Sequence, residues 1–251
     1  MTVPGEEANE SGDSGPYAAV RARPDGASTV SRLARTAADY GYSGIVVRNH
    51  GDEPASYDPA AIRETTGIDV VAGVEVSADD PSAASGYVGN YRPKHALVAV
   101  HGGDPALNRF AVEQAAVDVL AHPMAGDGDL NHVLAKAAAD NGVRLELDLG
   151  PVLRDSGGSR VRAISSLRKE WELIQQYDVP YVVSAGATSH LQLRAPRDLA
   201  AVCEVIGIDA DAARSGLREW GRVAERNRER QSERFVEPGV WRGPADESDQ
   251  S

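Results

Sequence analysis

Short runs of Val, Ile, Leu and Ala alternate along the chain with stretches whose apolar residues recur at three- and four-residue intervals. The runs predict strands at 17–21, 44–48, 69–76, 95–101, 117–121, 143–149 and 181–185, several so continuously apolar that both faces must be buried. The periodic stretches predict helices at about 28–40, 58–66, 105–115, 129–141, 159–177, 196–206 and 211–234. Asp58-Pro59, Asp104-Pro105 and Ala195-Pro196 read as helix starts, since proline loses nothing by lacking an N–H in the first turn. Gly142 and Gly207 read as helix ends, where a left-handed residue is needed. Strand and helix alternating over this length make βαβ units and a parallel sheet. With no Gly-x-Gly-x-x-Gly after the first strand, a single TIM-like (β/α) barrel is favoured over a dinucleotide-binding sheet. The barrel and its Arg-rich last helix are placed at 17–235; segments 1–16 and 236–251, rich in Gly, Ser, Pro, Asp and Glu, are expected to be disordered acidic tails.

Composition sharpens this picture. A chain of 251 residues, 41% of them hydrophobic, can bury one sizeable core. No window approaches eighteen uninterrupted apolar residues and the N-terminus is acidic, so a soluble, cytoplasmic protein without membrane contact is expected. A lone Cys203 excludes a disulfide framework and a multi-cysteine zinc site. The 38 acidic and 26 basic residues leave a net charge of −12, and the basic residues divide into 3 Lys and 23 Arg. This is the balance of a halophilic protein, kept solvated by surface carboxylates in concentrated salt. Such a charge normally argues against nucleic acid, but a global adaptation leaves that question to local arginines. At molar salt the screening length is about 3 Å, so only contact-range arginines would hold a phosphate.

His50, His101, His122 and His190 all fall at the C-terminal ends of predicted strands, which form one rim of a parallel barrel, where Glu75 can join them. Nitrogen and oxygen ligands of this kind suit Zn, Mn or Fe and can activate water. His132, inside a helix, reads as a surface residue. Arg48-Asn49-His50, Gly73-Val74-Glu75-Val76-Ser77 and Ala121-His122-Pro123 resemble the metal-site strings of the PHP phosphoesterase superfamily. The departures are informative: the superfamily's His-x-His at the end of the first strand is replaced by Val20-Arg21-Ala22-Arg23, Asn49 stands where it has aspartate, and the last strand ends Ser184-Ala185-Gly186-Ala187 without Ser-Asp-x-His. Residues at i and i+2 of a strand point the same way, so losing the first pair removes two adjacent ligands. No metal is therefore expected; the alternative, a PHP-type metal-dependent phosphoesterase, would use His50, Glu75, His101 and His122. No serine elbow, Walker loop or His-Glu-x-x-His occurs, and Cys203, in Leu199-Ala200-Ala201-Val202-Cys203, reads as core.

The arginines are grouped. Arg214, Arg218, Arg222, Arg226, Arg230 and Arg234 recur every four residues as a slowly winding ridge, interrupted by Glu219, Glu225 and Glu229 as on a solvated helix. Arg154, Arg160, Arg162, Arg168 and Lys169 surround Ser156-Gly157-Gly158-Ser159. Arg194 and Arg197 flank Pro196 at a helix start, whose dipole favours phosphate. Arg92 and Lys94 precede the strand at 95–101, and Tyr91 beside them either stacks a base or closes the core rim.

The combination resembles the ribonuclease P protein component 3 family of archaea, whose eukaryotic member is the thirty-kilodalton ribonuclease P subunit. The resemblance covers about 17–207, carried by Leu33–Tyr42 leading into Gly44-Ile45-Val46-Val47, by Ala99–Asp104, Asp118–Pro123 and Leu145–Leu149, and by Val183–Ala187 with Leu193-Arg194-Ala195-Pro196-Arg197-Asp198-Leu199. It implies a PHP-like barrel that cleaves nothing alone. The catalyst would be a Mg²⁺-dependent RNA removing the 5′ leader of precursor tRNA, with no cofactor bound by the protein itself. A Pop5-type subunit in a two-plus-two assembly, other ribonuclease P proteins and the two RNAs are the implied partners. Arg194, Arg197, Arg92, Lys94, Arg154 and Arg160 are the implied RNA contacts.

Overall fold

The computed structural model describes residues 15–232 and, as backbone, 235–237 and 240–241. Continuous apolar runs become seven strands, β1 (Tyr17–Val20), β2 (Gly44–Val47), β3 (Asp69–Val76), β4 (Leu97–His101), β5 (Val119–Ala121), β6 (Arg144–Asp148) and β7 (Tyr181–Ser184). Between and after them lie α1 (Val30–Asp39), α2 (Pro59–Thr66), α3 (Pro81–Tyr91), α4 (Pro105–Val112), α5 (His132–Asn141), α6 (Gly150–Arg154), α7 (Gly157–Tyr177), α8 (Pro196–Ile206) and α9 (Ala210–Gln231). The backbone at 235–237 and 240–241 forms an antiparallel pair. Arg234 and most of both terminal segments lie outside the described residues.

Local chemistry explains the boundaries. Asp58, Asp80 and Asp104 accept N–H groups of the first turn ahead of a proline, and Gly142 and Gly207 end α5 and α8 in the left-handed region. Two helices escape the periodicity. In α3, Gly86 and Gly89 dilute helix propensity although Asp80-Pro81 starts it, and the five-residue α6 is too short for a repeat.

The strands are all parallel and ordered β1 to β7 as in the chain, the TIM-like arrangement expected. Closure is partial: a single bridge joins Val20 to Ala187, where the Arg21 N–H donates to the Ala187 carbonyl at 3.0 Å. On β7, Pro180 and Ser184 offer their carbonyls to β6, so that of Val183 faces the opposite, open edge. Trp220 of α9, fully buried, donates its indole N–H to it at 2.9 Å.

Helix α9 crosses the N-terminal mouth of the barrel. Trp220, Val223 and Ala224 pack with the inward residues Ala19, Val46, Val71, Leu97, Ala99, Val119 and Val182. Its polar side grips strand beginnings: Arg228 pairs with Asp69, Asn227 donates to the Ala96 carbonyl and to Asp118, Arg226 reaches Asp118, and Glu219 takes Arg144. This corrects the solvated-helix reading. Ala213, Gly216, Leu217, Trp220, Ala224 and Asn227, spaced by threes and fours, form a buried stripe that the more conspicuous arginine row conceals. Among the described residues no helix is long and apolar enough to cross a membrane.

Candidate functional site

Going up the inward face of the barrel, apolar side chains give way to charge. Arg21 and Arg48 follow β1 and β2, Glu75 lies in β3, His101 ends β4, His122 follows β5, and Glu146 and Asp148 lie in β6. Glu75 is completely buried at the centre. Its Oε1 lies 2.7 Å from Arg21 Nη2, 2.5 Å from His101 Nδ1 and 3.8 Å from Nε2 of both His50 and His122. Its Oε2 is 3.2 Å from Arg48 Nη1. Arg48, also buried, donates to Glu146 through its other nitrogen and rests over the Trp220 ring, 5.5 Å from the centroid. Burial pushes the Glu75 carboxyl up, but the opposing pull of Arg48, then the His101 hydrogen bond, Arg21 and His122, prevails and holds it well below the usual carboxylate range.

The rim is braced from outside. His50 Nδ1 is 3.2 Å from Asp25, and His122 Nδ1 is 3.4 Å from Asp148. Burial, with the neighbouring Glu146 charge, raises the Asp148 pKa while His122 opposes the shift. Asn49 accepts the Ala22 N–H and donates to the carbonyls of Ala22 and Glu53, stitching the end of β1 to that of β2. His122 has φ of 52°, an uncommon left-handed conformation for a side-chain-bearing residue. Gly186 is left-handed too, and a Cβ there would stand 2.6 Å from an Asp148 oxygen.

His50, His101, His122 and Glu75 converge as expected. His190 does not: its Nδ1 lies 2.9 Å from Ser28 Oγ, because the chain after β7 folds over the start of α1. His132 is exposed at the start of α5. Cys203 is buried, which pushes its thiol up to about 12 and leaves it a core residue. Sequence reasoning passed over Arg21, Arg48, Glu146 and Asp148 as site residues; the signal was Arg144, Glu146 and Asp148 at alternate positions of an otherwise apolar strand.

The six basic candidates divide between the two barrel ends. Arg154 binds the carbonyls of Ala185 and Gly186 at the C-terminal rim, near exposed Arg160 at the start of α7. Arg92 and Lys94 lie at the other end, before β4; Arg92 pairs with Asp118 and donates to the His95 carbonyl, while Lys94 is exposed. Arg197, its side chain 88% exposed, joins Pro16 and Gly41 around a cavity at the same end. Arg194 spends its guanidinium on the carbonyls of Leu191 and Leu193.

Beside the rim a cavity of about 480 Å³ is lined by Glu146, Asp148 and Glu170, among others. Burial, then repulsion from Glu146 and Asp148, pushes the Glu170 carboxyl well above the ordinary range. A carboxyl raised in the folded state stabilises below its unfolded pKa of about 4.3, and that contribution is lost as pH rises. Glu170→Gln, which cannot ionise, is expected to exceed the native protein in stability by about 1 kcal/mol or more at pH 8, with a smaller difference at pH 5. Denaturant unfolding at both pH values checks this; an equal difference at the two contradicts it.

A family model described as RNase P subunit p30 matches residues 16–232. Ribonuclease P protein component 3 of Haloarcula marismortui is 66% identical over 224 residues, covering 89% of this chain and 95% of its own, and that of Methanosarcina mazei is 41% identical over 199, covering 79% and 83%. A chain from the cryo-EM structure of archaeal ribonuclease P with mature tRNA superimposes with a TM-score of 0.77 at 22% identity, covering 94% of this chain and 100% of that one.

Proposed function

The chain belongs to the RNase P subunit p30 family and is a protein subunit of ribonuclease P, a salt-adapted one by its composition, and from that membership we propose that it supports RNA rather than cutting it. The observation that carries this reading is the state of the rim. Its central carboxylate, Glu75, is spent on Arg21, Arg48 and His101, so the acid on which the rim converges is not available to activate a nucleophile. The established chemistry of the holoenzyme, an endoribonuclease acting in tRNA processing, then falls to a Mg²⁺-dependent RNA partner that removes the 5′ leader of precursor tRNA. The protein binds no cofactor of its own and works in the cytoplasm beside a Pop5-type subunit, as a two-plus-two assembly with the other ribonuclease P proteins.

Among the candidate RNA contacts, Arg197 is the one best placed to touch phosphate: its side chain is 88% exposed in the first turn of α8, with the likewise exposed Asp198 3.4 Å away, and N-cap Ala195 offers no side chain to that turn. Lys94 shares its end of the barrel, whereas Arg154 and Arg160 serve the opposite end, so the two sets are separable. In the holoenzyme reconstituted from its RNA and proteins at limiting subunit, Arg197→Ala is expected to lower precursor-tRNA cleavage about tenfold, the effect of one charge-assisted contact worth roughly 1–3 kcal/mol. Arg197→Lys should recover part, since an ammonium supplies charge without the planar fork. Native rates with Arg197→Ala, together with a loss in Arg160→Ala, would move the RNA to the C-terminal rim. Arg194→Ala is the poorer probe, because it also frees the turn at His190–Gln192 that its guanidinium pins.

A further inference from the structure

Three imidazoles and one carboxylate meeting in a barrel mouth make a recognisable donor set. His50, Glu75 and His101 can each present one ligand atom with all three within 4.8 Å of one another, and His122 Nε2 stands 3.8 Å from the same Glu75 oxygen. Nitrogen and oxygen donors in this ratio suit Zn²⁺ or Mn²⁺.

The native arrangement nevertheless does not fit a metal ion. A bound Zn²⁺ would need a Glu75 oxygen at about 2 Å. The Arg21 guanidinium nitrogen already lies 2.7 Å from Oε1, the oxygen on which the histidines converge, and 3.5 Å from His122 Nε2. Two cations would compete for one set of lone pairs in a buried pocket, where charge repulsion is little screened. His101 Nδ1 stands 2.5 Å from the same oxygen, too close to admit an ion between the two.

We infer that Arg21 is the resident cation of this pocket, that its guanidinium keeps transition metals out, and that removing it converts His50, Glu75, His101 and His122 into a site for one Zn²⁺ or Mn²⁺. Arg21, not Arg48, sets occupancy. Both line a cavity of about 190 Å³, but Arg48 is held between Glu75, Glu146 and the Trp220 ring with its side chain only 3% exposed, whereas Arg21 is 19% exposed, with Asp25 3.9 Å away. Truncating Arg21 removes the guanidinium 2.7 Å from Oε1, leaves the His101 imidazole at hydrogen-bond distance, and opens room beside the carboxylate into which the His101 ring can turn. The inference does not depend on the ribonuclease P reading; it concerns only what the barrel mouth binds.

The test uses the full chain in molar KCl, incubated with ZnCl₂ or MnCl₂, dialysed against metal-free buffer and assayed by elemental analysis and by melting temperature with and without the metal. The native protein and Arg21→Lys are expected to retain less than a tenth of an equivalent. Arg21→Ala and Arg21→His should retain close to one equivalent of Zn²⁺, melt several degrees higher with the metal than without, and lose both properties when His101→Ala is added. A variant unfolded alone but folded by Zn²⁺, seen by circular dichroism, supports the inference equally. One equivalent in the native protein, removed by His101→Ala, overturns it. So does failure of both Arg21→Ala and Arg21→His to bind or be folded by metal, or retention that survives His101→Ala.

Discussion

Glu75→Ala is expected to cost about 3–5 kcal/mol of folding stability, because it leaves two arginines without the carboxylate that joins them, one of them fully enclosed. Arg48 keeps Glu146 and the Trp220 face, but its Nη1 loses the Glu75 oxygen 3.2 Å away, and Arg21 is left with the more distant Asp25. Guanidinium chloride unfolding followed by circular dichroism gives the number, and a loss below 1 kcal/mol would show that the rim charges are already hydrated. The pH dependence separates charge from volume. A carboxylate held below its usual range stabilises the fold above its unfolded pKa of about 4.3, and that contribution is lost as pH falls. The native protein should therefore weaken on acidification below about pH 4, and Glu75→Gln, nearly isosteric but never charged, should have a flatter profile there.

Trp220→Ala is expected to destabilise by a similar amount, about 3–5 kcal/mol, the usual cost of emptying a large aromatic site. Three losses coincide. The barrel interior is left with a void beneath Ala19, Val46 and Val182, Arg48 loses the ring it lies against, and the Val183 carbonyl on the open edge of β7 loses its donor. Trp220→Phe refills much of the void without the N–H and should recover part of the stability, the remainder being roughly the 1–3 kcal/mol of an unsatisfied buried acceptor. If Trp220→Ala unfolds within 1 kcal/mol of the native protein, α9 is not the plug of the N-terminal mouth.

Both residues mark where linear patterns stop being informative. Parallel strands announced themselves because β2 and β4 are buried on both faces and so read as unbroken apolar runs, and helix starts did because Asp-Pro places a capping oxygen and a harmless proline in consecutive positions. His50, Glu75, His101 and His122 were legible as a group, since each lies at or near the C-terminal end of a strand and a parallel barrel gathers such ends on one rim. Their neutralisation was not legible. Arg21 and Glu75 are 54 positions apart and Arg48 and Glu146 are 98 apart, so nothing local couples them.

The sequence by itself thus determined the element order, the caps and the rim on which the chemistry collects, because these follow from periodicity and side-chain type over a few residues. It also carried the family, through short strings kept in order along the chain. Tertiary structure alone decided that a guanidinium stands against the acid where the histidines meet. It decided as well that the arginine-rich last helix closes the barrel instead of facing water, and that the basic residues divide between opposite ends. The physical reason is common to all three. Which charge a buried carboxylate meets, and which stripe of a helix is enclosed, depends on neighbours brought together by closure of the sheet, and strand closure couples residues that share no local pattern.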